Sequence, residues 1–558
     1  MSAALGPEGS RALVRALEAS GVEVVFGLPG TQNHALYVAL RGSSIRSIVP
    51  THELAAAFMA GAYGRMRRDV GVLLTIPGPG FAYALPGLAE AWLDSAPLVH
   101  ITCAPPAGSP LKLQHQAIDQ RALARPIVKG ILAASEPTEI ERAVRAARAL
   151  ALDGEPGPVL IELGGEAVPA FPPPPHHGDP QADARRIWQR IGTARRPVLF
   201  LGQGSAGAAA AASEFVARAG LPFFTNASGR GVVSEASPWC LRYDALRQPS
   251  SALNAFLDTT DLAIVIGARL AYNGSAGFGL ALPPERLVRI DTAPEPGRYP
   301  AALSARLDAA RFFAMSECAS TPRSAWTVDE IGTWRDRIGT LAPKGPEPSV
   351  AGRTPREFVE DLRAALPDEA VLVTDTGLHQ SLVRRYYEVR SVDGLLIPSD
   401  LQSMGFGLPA ALAAKLADPS RPVVAVIGDG GALMSGLELA TAVRERLAVT
   451  VLVFNDGHLN QIRLAQLQDA GRAHGTTLPA LDFAALARAA GARYLRLDSD
   501  DFTGVRAAVA GNDVTLVEVV VRDSPAVVRS VAAARAKAVL RATLGERLTA
   551  WVKRQFRR

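Results

Sequence analysis

The stretch Val423-Val424-Ala425-Val426-Ile427-Gly428-Asp429-Gly430-Gly431 decides the fold of this chain. Five apolar residues in a row, with no polar alternation, make a strand buried on both faces, as in a parallel sheet. The run stops at three glycines and an acid, and a helical stretch with Glu438 and Leu439 follows. A second run, Val449 to Phe454, ends in Asn455-Asp456-Gly457-His458. Ligands of open α/β sheets sit at the carboxyl ends of the strands, and both clusters fall there. A carboxylate at each of two strand ends can hold one hard cation, with a backbone carbonyl completing part of the shell. Mg²⁺ accepts such oxygens and shares them with a bound diphosphate. The glycines let backbone approach phosphate, and the helix start after Gly431 offers N–H donors.

The same strand type recurs outward from this point. Val371 to Thr374 and Val514 to Val521 complete the third part of the chain. The first part has Val22 to Phe26, Val70 to Thr75, Leu98 to Thr102 and Pro158 to Glu162, with Ala-rich helical stretches such as Leu54 to Met66 between them. The middle part has Val198 to Leu201, Leu262 to Ile266 and Leu287 to Ile290. Strands alternating with helices predict three consecutive open parallel-sheet α/β domains. Two Pro-rich stretches, Phe171 to Gly178 and Pro343 to Pro348, can continue neither helix nor central strand and read as linkers. The expected domains are 1–170, 182–340 and 350–525. A basic C-terminal helix is expected over 526–558, with Val539, Leu540, Leu544, Leu548 and Trp551 on one face.

Composition excludes several classes. With 48% hydrophobic and 20% charged residues the chain is an ordinary globular one. No apolar run is long enough to span a bilayer. A net charge of +5, dispersed along 558 residues, gives no reason to expect nucleic acid. Cys103, Cys240 and Cys318 lack the spacing of a zinc site or disulfide framework. Met1 to Pro7 has neither the basic start nor the apolar core of a secretory signal, so a cytoplasmic location is expected.

The Gly428-Asp429-Gly430 cluster, followed by an Asn/Asp pair whose second member lies 456 − 429 = 27 residues on, resembles the thiamine-diphosphate motif of the acetolactate synthase (acetohydroxyacid synthase large subunit)-like family. The resemblance implies Mg²⁺ ligation by Asp429, Asp456 and the carbonyl of His458. Asp456 stands where the family usually has Asn. Gly428, Gly430 and Gly431 would line the diphosphate. Ser399 to Ala411 is similar to the segment beneath the cofactor, where Gln402 lies and a methionine, here Met404, bends the two rings together. Asp375-Thr376-Gly377-Leu378-His379-Gln380 is similar to a diphosphate-contacting loop, with Gly377 and His379 matching and Leu378 in place of a usual Gln.

In the first part, Thr51-His52-Glu53 opens a helix, with Phe26-Gly27-Leu28-Pro29-Gly30 upstream and Pro77-Gly78-Pro79-Gly80 downstream. In the family frame Gly30 touches the cofactor and Glu53 hydrogen-bonds its aminopyrimidine ring. Protonating that ring nitrogen favours the imino form of the 4′ group, the internal base that activates the thiazolium carbon. The loop Leu113-Gln114-His115-Gln116 matches one that approaches the reacting carbon. Both Gln116 and His115 are candidates there.

The middle part carries Gly202-Gln203-Gly204-Ser205-Ala206-Gly207 after a strand, a GxGxxG pattern. The acid expected on a second strand is missing. Some family members hold FAD in this domain, but Leu270 to Gly277 lacks the charged residues associated with flavin contact, so an FAD-free domain is the expectation. The resemblance implies a decarboxylase or carboligase acting on a 2-oxo acid and a carbonyl acceptor, as a homodimer or homotetramer. A 2-oxo-acid decarboxylase, an acyloin or 2-hydroxyacyl lyase and, remotely, a nucleotide-binding oxidoreductase are the alternatives. Nine residues beyond Asp456, where biosynthetic members place a Trp in the acceptor pocket, this chain has Ala465. Selectivity for 2-oxobutyrate is therefore not expected.

Overall fold

The computed structural model describes residues 5–105, 110–164, 179–241, 244, 246, 250–293, 297–318, 323–339, 345–499 and 501–539, the side chains of 317 and 318 excepted. The first Pro-rich stretch, the Cys318 side chain and the tail positions Leu540, Leu544, Leu548 and Trp551 lie outside this set. Residues 525–539 are helical.

Three sheets form. The first has the order Arg46–Ile48, Val24–Gly27, Gly71–Leu74, Leu98–Cys103, Pro158–Leu163, Gly130–Ala134, all parallel. The second, also all parallel, runs Leu303–Arg306, Leu287–Asp291, Leu262–Ile266, Pro197–Leu201, Phe223–Thr225. The third runs Thr515–Arg522, Thr450–Asn455, Val423–Gly428, Val371–Thr374, Leu395–Leu396, with Arg493–Leu497 parallel to Thr515–Arg522. A two-residue strand, Ser349–Val350, pairs antiparallel with Thr515–Arg522.

Each sheet reverses its winding near its middle, and that reversal opens a crevice at the strand ends. In the first sheet it lies between Val24–Gly27 and Gly71–Leu74, in the second between Pro197–Leu201 and Leu262–Ile266, and in the third between Val371–Thr374 and Val423–Gly428. All three fall on stretches that the sequence singled out.

The first and third sheets share one core. The helix Glu53–Arg67 is buried on every side, which its run of Ala55, Ala56, Ala57, Ala60, Gly61 and Ala62 permits. One face lies on its own sheet and on the helix Pro79–Leu93. The other meets Gly407–Ala417 of the third sheet's layer, where Phe58 and Phe406 pack edge to face at 5.5 Å. Small residues set these distances: a Cβ on Gly87 would come within 2.4 Å of Ala57 Cβ.

Candidate active site

At the third sheet's crevice, Val371–Thr374 delivers Asp375, which is fully buried. Its carboxylate accepts from Thr376 N at 2.7 Å and Gly405 N at 2.9 Å. A Cβ on Gly431 would lie 2.2 Å from Asp375 Oδ2, so only glycine fits there. Burial pushes the Asp375 carboxyl up to about 7. This residue ties together the three loops that approach the crevice.

His379, two residues beyond Gly377 and packed over it, is buried, and among the described residues its Nε2 has no hydrogen-bond partner. Burial lowers its pKa to about 4, so the ring is neutral and can donate one hydrogen bond. The ring also faces Gly428, where a Cβ would sit 3.2 Å from His379 Cε1. Gly430 lies against the Met404 methyl and Leu459. Gln402 is half-buried, with a left-handed φ of 60°.

The strand Val423–Gly428 passes directly into the helix Asp429–Ser435. Asp429 Oδ1 accepts from Gly430 N at 2.8 Å, and Oδ2 accepts from Gly457 N at 2.7 Å and Asp456 N at 3.2 Å. Asp456 accepts from His458 N at 3.0 Å and Asn460 Nδ2 at 2.7 Å. Burial and then the neighbouring Asp429 charge push Asp456 up to about 7; burial also raises Asp429. The Asn455 side chain instead turns to Glu518, 2.8 Å away. Of the Asn/Asp pair, Asp456 is therefore the member beside Asp429. His458 Nδ1, like His379 Nε2, is buried without a partner among the described residues. Two repelling carboxylates and two orphaned ring nitrogens suit a diphosphate with its cation. Among the described residues no three His, Cys, Asp or Glu side chains converge on a metal position, so any cation here needs backbone and ligand oxygens besides the two carboxylates.

At the first sheet's crevice, Glu53 begins its helix, where the dipole favours an anion. It is half-buried beside Gly80, whose Cβ would lie 3.2 Å from Glu53 Oε1, and among the described residues nothing hydrogen-bonds it. The preceding Thr51 is held from the third sheet's layer, its N–H and hydroxyl both donating to Glu438 Oε1 at 3.0 and 2.5 Å. Gln116 has a left-handed φ of 55° and its backbone rides over Gly78, where any Cβ would strike Gln116 O at 2.3 Å. Its side-chain oxygen accepts from Gln32. Gln116 thus packs on the Gly78 turn and against Gln32, while His115 is exposed. The sequence reading missed Asp375, which sits inside a motif it quoted, and Gln32, two residues beyond one.

Family models for the thiamine pyrophosphate enzymes match all three parts of the chain: the N-terminal TPP binding domain over residues 7–123, the central domain over 184–314 and the C-terminal TPP binding domain over 375–519. A probable 2-ketoarginine decarboxylase of Pseudomonas aeruginosa is 30% identical over 526 residues, covering 91% of this chain and 93% of the relative. The chain belongs to the thiamine pyrophosphate enzymes. A probable acetolactate synthase large subunit of Methanocaldococcus jannaschii is 28% identical, with 92% of each chain covered. The acetolactate synthase large subunit of Parasynechococcus marenigrum is 30% identical over 92% of this chain and 87% of its own. The family thus includes relatives named for joining carbon units and one named for decarboxylation. Among the described residues no helix is long and apolar enough to cross a membrane.

At the central crevice the first two glycines of the GxGxxG pattern pack loop on loop. A Cβ on Gly202 would lie 2.0 Å from Gly267 O, and one on Gly204 2.8 Å from Gly267 Cα. Beside them a cavity of about 900 Å³ opens between the domains, bordered by Arg68, Gln203, Arg269 and Arg306.

Proposed function

We propose that this thiamine pyrophosphate enzyme decarboxylates a 2-oxo acid and joins the retained fragment to a second carbonyl. The observation that carries the site assignment is the pairing of orphaned His379 Nε2 and His458 Nδ1 with Asp429 and Asp456 at a sheet reversal. Asp429, Asp456 and the His458 carbonyl would hold Mg²⁺, and His379 with Gly377 and Gly428–Gly431 the diphosphate. Met404, with Gln402, would support the rings. When bound, the cofactor supplies a nucleophilic thiazolium carbon and an electron sink. With the cofactor bound, the Glu53 carboxyl would donate a proton to the pyrimidine nitrogen, and Gln116, held by Gln32, would offer its amide to the reacting carbonyl.

The active form is a homodimer or a tetramer of such dimers, in which Glu53 of one subunit faces the diphosphate crevice of the other. Exposed Leu433, Met434 and Leu437, just past Asp429, support this: 41%, 58% and 65% of their surfaces are uncovered in the single chain. Flavin is no part of the proposal, because the central glycines pack against backbone; visible flavin absorbance in purified protein would overturn that point.

A second reading is decarboxylation of a bulkier 2-oxo acid without ligation. The helix Asn460–Ala470 favours it, leaving Gln461, Ile462 and Ala465 exposed instead of closing the pocket with a large ring. Arg463, beside them, is committed to Asp523 through two hydrogen bonds of 2.8 and 2.6 Å. The test is product analysis with Mg²⁺ and thiamine diphosphate, using pyruvate and a panel of aldehydes and longer 2-oxo acids. Acetolactate or acyloin supports ligation, and free aldehyde as sole product supports the second reading. No turnover of any 2-oxo acid would refute both.

A further inference from the structure

We propose that Glu90 and Asp94, which belong to the N-terminal domain, are positioning residues that hold Ser399 to Met404 of the diphosphate domain in its cofactor-supporting shape. Both acids lie one turn apart at the end of the helix Pro79–Leu93, and both are buried. Glu90 Oε2 accepts from Ser403 N at 3.0 Å. Asp94 Oδ1 accepts from Ser399 N at 3.2 Å and Ser399 Oγ at 2.5 Å. The two carboxylates therefore fasten both ends of a five-residue stretch more than three hundred residues away in sequence. Between the fastenings Gln402 is held at a φ of 60°, a conformation that a non-glycine keeps only when its surroundings impose it. Met404 follows immediately, its methyl against Gly430. The far flank is fixed separately, by Asp375 accepting from Gly405 N. The central domain adds Arg269 to Asp400 at 2.9 Å and Asn273 to Ser399 O at 3.1 Å.

Fold stability alone does not explain this arrangement. Glu90 Oε1 is buried and has no hydrogen-bond partner among the described residues, an unfavourable placement for a carboxylate. Asp94 and Asp400 repel Glu90, and the buried Arg65 offsets the charge on both helix acids. Burial and the Asp94 charge push the Glu90 carboxyl up to about 7. An apolar residue of the same length would satisfy this core better. What it would not do is hold Ser403 N.

The inference rests on the thiamine diphosphate reading, and its test separates the two. Glu90→Met and Glu90→Gln are compared with wild type in the full-length protein loaded with thiamine diphosphate and Mg²⁺. Cofactor affinity by calorimetry, Tm, kcat and KM, and deuterium exchange at the thiazolium carbon are measured. Glu90→Met is expected to keep or raise Tm while kcat and exchange fall by about tenfold or more, the scale of a misplaced reactive group. KM should move by less than about threefold, since substrate contacts are untouched. Glu90→Gln keeps an oxygen for Ser403 N and should recover most of kcat. If Glu90→Met does not fold, Glu90→Ala takes its place. Unchanged kcat, or a loss of kcat that follows Tm and that Glu90→Gln does not restore, overturns the inference. A wild type that binds no thiamine diphosphate overturns the underlying reading, and this inference with it.

Discussion

The diphosphate domain and the central domain both place a glycine-rich turn where their sheets reverse, yet the glycines do different work. In the central domain Gly202 and Gly204 press against the backbone of Gly267 and Ala268. In the diphosphate domain Gly428, Gly430 and Gly431 press against side chains: His379, the Met404 methyl and the Asp375 carboxylate. The first arrangement joins two loops into one wall. The second brings functional groups against a turn whose N–H groups and carboxylates face a crevice. A glycine pattern alone therefore does not assign a ligand; what each missing Cβ would have touched does.

The N-terminal crevice resembles the diphosphate one, and the largest expected effect lies there. Glu53→Gln keeps the volume but is a poor proton donor to the pyrimidine nitrogen. Deuterium exchange at the thiazolium carbon should slow by about 10²- to 10⁴-fold, with metal and cofactor affinity nearly unchanged. Exchange at the wild-type rate would remove Glu53 from the site.

The central wall gives a contrasting expectation. Gly202→Ala places a methyl inside the backbone of the facing loop and should destabilise the protein by about 3 kcal/mol or more. Thermal unfolding reads this. The fraction that folds should bind thiamine diphosphate normally. A stable Gly202→Ala protein would mean that the two loops are not in contact and would break the comparison.

Much of this was legible in the sequence, for a physical reason. The central strands are apolar on both faces; Leu262–Ile266 and Val371–Thr374 were read with these bounds and the others to within one or two residues. The edge strands Arg46–Ile48, Leu303–Arg306 and Arg493–Leu497 are half-exposed, carry charges and gave no such signal. Asp429 and Asp456 were legible because strand ends and spacing place them. Asp375, Gln32, Glu90 and Asp94 were not, because their partners lie on other loops or in another domain. Two signals were available: an alanine-rich helix at 53–67 with no polar face, implying burial on all sides, and a lone acid inside the apolar helix 79–93.

Asp375 sharpens the comparison through pH. Burial raises its carboxyl in the folded protein from the ordinary 3.8 to about 7. The neutral form is favoured by folding, so its stabilising contribution is full at low pH and is lost as pH rises through 7. For the cofactor-free protein the loss approaches about 1 kcal/mol per pH unit between the two values. Asp375→Asn should flatten that slope in urea unfolding at pH 5, 6 and 7. An unchanged slope would assign the effect to other buried acids.

The smallest effect concerns substrate choice. With Ala465 exposed on its helix, no large ring distinguishes acceptors that differ by one methylene. Competition between pyruvate and 2-oxobutyrate should show a preference below about threefold, against the roughly 10- to 200-fold that a fitted apolar pocket achieves. A strong preference for 2-oxobutyrate would mean that another side chain rebuilds the wall.

Calorimetry of thiamine diphosphate binding to wild type and Asp429→Ala, each with and without Mg²⁺, tests the central claim most directly. Wild type should show one metal-dependent site per chain, and Asp429→Ala an affinity reduced by about 10²-fold or more, the scale of removing one partner of a buried charge pair. Wild-type affinity in Asp429→Ala, or binding to wild type that is indifferent to Mg²⁺, would contradict it.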